Sequence, residues 1–142
     1  MNEQESRNPN IEYRNPKQKQ MTEGENPKQY DLEERTRNFA KSVRLFVKKI
    51  PRTISNIEDA KQVVRSSGSV GANYIEANEA LSKKDFFFRI KICRKEAKES
   101  RYWLSLFDIS SELLILEEER DWLVGEATEL MMIFGSIVRN SD

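Results

Sequence analysis

Lys84, Lys91, Lys95 and Lys98 are separated by seven, four and three residues, with Arg94 and Arg101 beside them. On a helix this spacing puts four ammonium groups on one stripe and the two arginines at its margin. Such a row can follow a phosphate backbone, each contact releasing a condensed counterion. The stretch Ser66-Ser67-Gly68-Ser69-Val70-Gly71 has chemical possibilities of another kind. It could be a loop whose amides cradle a phosphate, or a helix face cut down so that a second helix can come close. A phosphate loop follows a strand and ends in Gly-Lys-Ser/Thr, and an RNA-binding GxxG loop sits among strands. Here the preceding "AKQVVR" reads as helix and no Gly-Lys-Ser/Thr follows. Gly68 and Gly71 are therefore expected to serve close helix packing, with large side chains such as Phe86 or Trp103 opposite.

Much other chemistry is excluded by composition. The 142 residues contain no histidine, which removes the commonest general base and metal ligand. The single cysteine, Cys93, can form neither a Cys-His dyad nor a thiolate zinc site, nor an intramolecular disulfide. No enzyme activity, metal or cofactor is expected, and Cys93 itself falls on a core stripe as a small hydrophobe. No apolar run approaches the ~20 residues of a membrane span, and the start "MNEQESRNPN" lacks a signal-peptide core. A soluble, cytoplasmic protein is expected.

The elements that would position these residues are helices. Residues 1–30 carry three Asn-Pro pairs, few apolar side chains and five charges of each sign, and read as a flexible tail. From Asp31, Leu32, Thr36, Phe39, Val43, Phe46, Val47 and Ile50 share one arc at helical period, with Pro51 at or just past the end. Ser55 and Glu58 suggest a capping box for a second helix over about 56–81, with Val63, Ser67, Val70, Gly71, Tyr74 and Leu81 inward. Ser82 and Asp85 suggest the next cap, for a helix reaching about Ile109, and a last helix is expected over about 117–138. No stretch sustains period-2 alternation. The expected fold is all-α: an antiparallel up-down-up-down four-helix bundle over 31–142 behind the tail.

The stretches "DLEERTRNFA" (31–40), "SSGSVGANYIEA" (66–77) and "KKDFFFRIKICRKEAKESRYWL" (83–104), with their spacing, resemble the four-helix-bundle proteins of the 23S rRNA intervening-sequence family. The resemblance covers about residues 31–138. Where the family commonly has Asn-Ile-x-Glu-Gly, this chain has Asn73-Tyr74-Ile75-Glu76-Ala77, so an alanine replaces the glycine. The resemblance implies a homopentamer and no established biochemical function. A related branch implies a second role, as accessory subunit of a diversity-generating reverse transcriptase that binds nucleic acid through a basic surface.

Two helices have more apolar surface than one core needs. Phe86, Ile90, Cys93, Ala97 and Leu104 form the core stripe of the third helix. Phe88, Ile92, Trp103 and Leu106 lie on a second arc, and Phe86 to Phe88 point about 100° apart. On the fourth helix Leu123, Ala127, Leu130 and Phe134 face one way, Trp122 and Ile133 another. Phe88, Ile92, Trp103, Leu106, Trp122 and Ile133 are thus the expected homo-oligomer interface. Asn73 and Glu76 project outward, toward a subunit or ligand hydrogen bond or simply toward solvent.

Charge sums to zero overall, yet residues 83–111 carry eight basic and four acidic side chains and residues 112–142 two and eight. The lysine stripe with Arg94 and Arg101 is the expected RNA or DNA contact. The alternative is simple solvation, or pairing with the acids of the fourth helix within or between subunits, Glu117 to Glu119 lying near Arg101. Three functions stay open: a nucleic-acid-associated oligomer, a structural or protein-binding scaffold, and the reverse-transcriptase accessory, which net neutrality weakens.

Overall fold

The computed structural model describes residues 31–140, and the expected tail lies outside them. Four helices follow one another: α1 Leu32–Val47, α2 Ile54–Asn78, α3 Lys83–Leu106 and α4 Leu114–Arg139. Each neighbour in sequence is a neighbour in space, and α4 packs back on α1 to close the ring. With connections this short, successive helices run antiparallel, which is the expected up-down-up-down bundle. No strand occurs among the described residues.

Three of the four helices open on a side-chain cap. The Asp31 carboxylate accepts from the Glu34 amide at 3.0 Å and Ser82 Oγ from the Asp85 amide at 3.0 Å. The second cap is Thr53, whose Oγ1 accepts from the Asn56 amide at 3.1 Å, and the Ser55–Glu58 pair makes no box. α2 ends at Asn78, so Leu81, expected inward, lies in the following turn and is 99% exposed. α3 ends at Leu106 and α4 begins at Leu114 without a side-chain cap.

The core forms where the four apolar stripes meet. Phe39, Phe46, Val63, Tyr74, Ile90, Leu104, Leu123, Leu130 and Phe134 are all buried, each contributing roughly 1.5–3 kcal/mol of hydrophobic stabilisation. Tyr74 and Phe134 meet across the bundle with ring centroids 5.9 Å apart, and Phe46 stands edge-on to Phe107 at 5.7 Å. Ile133 belongs to this core, not to an outer surface: it is fully buried. It lies two turns beyond Glu126, which Arg35 of α1 grips at 2.8 Å. α4 touches both α3 and α1, so its apolar arc must be broad enough for two neighbours.

The glycines serve packing, against α1 and not against the third helix. A Cβ at Gly71 would lie 2.9 Å from Thr36 Oγ1, and one at Gly68 would lie 3.3 Å from Arg44 Nη2. α2 and α3 meet instead through small polar side chains, with Ser66 and Ser100 hydroxyls 2.8 Å apart in the interior. At the end where two loops converge, the buried Asn56 ties them together. Its Nδ2 donates to the carbonyls of Pro51 and Asp108, at 3.0 and 2.9 Å, and its Oδ1 accepts from the Asp108 amide at 2.9 Å.

Candidate nucleic-acid interface

The inner stripe of α3 is fixed by Phe86, Ile90, Cys93, Ala97 and Leu104, all buried. Helical geometry then turns Lys84, Lys91, Lys95 and Lys98 outward together, and all four are exposed. Lys95 approaches Glu99 Oε2 at 4.0 Å, one turn along the same helix. Lys84, Lys91 and Lys98 make no ion pair among the described residues.

Two of the three acids of α3 are held by a neighbouring helix, while Asp85 is exposed in the first turn. Arg65 of α2 reaches Glu96 Oε1 at 3.4 Å and Glu99 Oε1 at 3.1 Å, drawing both carboxylates toward the α2–α3 seam. Within one chain, no ion pair among the described residues joins α4 to the stripe. Glu119 pairs with Lys49 near the end of α1 at 2.8 Å, and the Arg120 guanidinium donates to the carbonyls of Leu104 and Phe107. Glu119 and Glu126 of α4 are thus engaged by Lys49 and Arg35, and among the described residues Lys84, Lys91 and Lys98 of α3 keep no anionic partner.

Arg94 and Arg101 border this face as expected. Arg94 extends over α4, where a Cβ on Gly135 would lie 3.5 Å from its Nε and 3.4 Å from Arg139 Nη1. Arg101 is half-buried. The face also carries aromatic groups. Phe88 is 59% and Tyr102 57% exposed, and Leu106 continues the row at 45%. Phe88 was expected outside the core. Tyr102 was not singled out, although it stands four residues after Lys98, one more step of the same stripe. Phe87 is half-buried, with its ring edge-on to Phe86.

The other expected surface positions divide. Trp122 is 59% exposed on α4. Ile92 is half-buried. Trp103 packs against the core, its ring 5.0 Å from Tyr102 and its Nε1 enclosed without a hydrogen-bond partner among the described residues. It is therefore half core residue, half surface. Asn73 is also half-buried: its Nδ2 donates to the Ser69 carbonyl at 2.9 Å and its Oδ1 accepts from Arg89 Nη1 at 2.9 Å, a link between α2 and α3. Glu76 is exposed. The floor of a groove of about 610 Å³ between α1 and α2 includes Gly68, Gly71, Ala72 and Ile75, beside Arg37 and Arg44. Burial raises the pKa of the Cys93 thiol far above its ordinary value, leaving it neutral and a poor nucleophile.

In class, then, the chain is an antiparallel helical bundle with one basic, aromatic-bearing outer helix face. It belongs to the 23S rRNA-intervening sequence protein family, whose sequence model matches residues 28–135. It is similar to a crystal structure of a protein of unknown function from the S23 ribosomal protein family of Bacteroides thetaiotaomicron. The two share 30% identity and a TM-score of 0.62, over 77% of this chain and 99% of that one. No curated protein matches the chain. No helix among the described residues is long and apolar enough to cross a membrane.

Proposed function

We propose that this protein is a non-enzymatic, self-associating helical bundle that binds RNA or DNA through the outer face of α3. The observation that carries the reading is the row Lys84, Lys91, Lys95 and Lys98, exposed on one helix, three of them without an anionic partner among the described residues. A cationic row with only Lys95 paired within its own fold is suited to an external polyanion, because each phosphate it meets releases a counterion to solution. Arg94 and Arg101 widen the row at its margin.

The test is fluorescence anisotropy of labelled RNA and DNA titrated with the full chain at several salt concentrations. Four lysine contacts give a log–log salt slope of roughly −3 to −4, at ~0.7 to 0.9 per phosphate. Replacing all four lysines by glutamate abolishes binding while the circular dichroism spectrum stays helical. Absence of any binding at low salt by the folded protein overturns the reading.

A second reading is a scaffold that binds only protein, its own copies included. Trp122 and Met132, 59% and 49% exposed on α4, favour it, together with Glu118 and Asp121, which are exposed on the same helix. The reverse-transcriptase accessory reading calls for a basic body, and 24 basic against 24 acidic residues do not supply one.

A further inference from the structure

Resting on the nucleic-acid reading, we infer that the strand taken by α3 is single, with its bases stacked on Phe88 and Tyr102. Phe88 and Tyr102 are 59% and 57% exposed and neither is a core residue; the Tyr102 ring stands edge-on to Trp103, 5.0 Å away. Phe88 and Tyr102 stand fourteen residues apart, about 21 Å along the helix, and nearly in line on its surface. Lys91, Lys95 and Lys98 lie between them and Lys84 just beyond Phe88. The face thus alternates the two contacts that a sequence-tolerant single-strand binder needs: cations for the phosphates and flat apolar rings for the bases.

A duplex would use this face poorly. Its bases are already stacked and paired, leaving the rings nothing to receive. Lysines can meet the phosphates and guanine edges of a duplex as well as the phosphates of a single strand, so the cations alone do not choose between them. In the row Lys84, Phe88, Lys91, Lys95, Lys98, Tyr102, Leu106, bordered by Arg94 and Arg101, it is the two exposed rings that favour a single strand, because only unstacked bases can lie on them. The deep, narrow major groove of duplex RNA does not admit such a helix at all. The span between the rings suits a segment on the order of four nucleotides, the low end of single-strand site sizes.

The test uses the full chain with labelled oligo-uridine and oligo-thymidine of about twelve nucleotides, a length within single-strand site sizes, beside a hairpin stem and a duplex of the same length. Variants are Phe88→Leu and Tyr102→Leu, which keep apolar area but remove the ring, and Tyr102→Phe, which keeps it. The expected result is single-strand binding at least about tenfold tighter than duplex binding. Each leucine variant weakens it about tenfold with an unchanged salt slope, and Tyr102→Phe retains it. Equal binding of single strand and duplex, indifferent to the leucine variants, overturns the inference and leaves the lysine reading standing. No salt-sensitive binding to either form sinks both. If the leucine variants lower the particle mass in light scattering and leave strand affinity untouched, the rings are a contact between copies and the inference falls.

Discussion

A methyl group on Gly71 would lie 2.9 Å from Thr36 Oγ1 and 3.3 Å from Thr36 Cβ. Thr36 cannot turn aside, because it is buried and its hydroxyl donates to the Leu32 carbonyl at 2.7 Å. Gly71→Ala must therefore push α1 outward, an overpacking cost of about 1–3 kcal/mol that exceeds the helix-propensity gain of up to ~1 kcal/mol. Three residues earlier the balance reverses. The group facing Gly68 is the far end of the Arg44 side chain, 3.3 Å away, which can swing clear. Gly68→Ala is expected to stabilise by about 0.5–1 kcal/mol, the gain for replacing a helical glycine. Urea unfolding of both variants measures the two signs, and a stabilised Gly71→Ala would contradict the close approach of α1 and α2. The packing role of these glycines was legible in the sequence, since no strand or phosphate-loop lysine accompanied them. Their partner was not, because a single stripe of small residues does not say which neighbour fills it. Tyr102 was legible in principle, as the next member of the lysine stripe, but an aromatic beside Trp103 reads as core until the helix register is fixed.

Among the elements, the four helices announced themselves through 3.6-residue periodicity and through caps such as Ser82. Connections carry no periodicity, and there the sequence was weaker. Ser55 and Glu58 fit a capping pattern that Thr53 in fact supplies, two residues earlier. The structure also gives Asn56 a part that spacing could not reveal, because its partners lie five and fifty-two residues away. Its amide holds the Pro51 carbonyl in the α1–α2 connection and the backbone carbonyl and amide of Asp108 in the α3–α4 connection. Asn56→Ala removes three hydrogen bonds at a buried side chain and is expected to cost about 2–3 kcal/mol, allowing for rehydration of the exposed Asp108. For a bundle of this size that lowers Tm by about 10–15 °C in scanning calorimetry. A shift within a degree or two would mean that the two loops hold their places without it.

The whole molecule has no net charge, yet its charges are sorted by helix: α3 presents lysines with Phe88, Tyr102 and Leu106, and α4 presents Glu118 and Asp121 with Trp122 and Met132. The expected outer patch loses Ile133 to the core but keeps Trp122, and an exposed tryptophan beside carboxylates is complementary to exposed rings beside lysines. A contact between unlike faces of successive copies is heterologous, and such contacts make rings when the rotation closes. Light scattering is therefore expected to give a multiple of the 16.7 kDa chain. Trp122→Ser combined with Asp121→Lys should reduce that mass to one chain while helicity is retained, since both residues are exposed and Trp122 has no place in the core. The same design makes strand binding and self-association competitors wherever they use α3. Adding oligonucleotide should then lower the mass, and raising salt should weaken both. A mass that stays constant on saturation with a strand would put the contact between copies on α4 and the apolar end near Ile54, Leu114 and Ile115, leaving the α3 face open on the outside of the assembly.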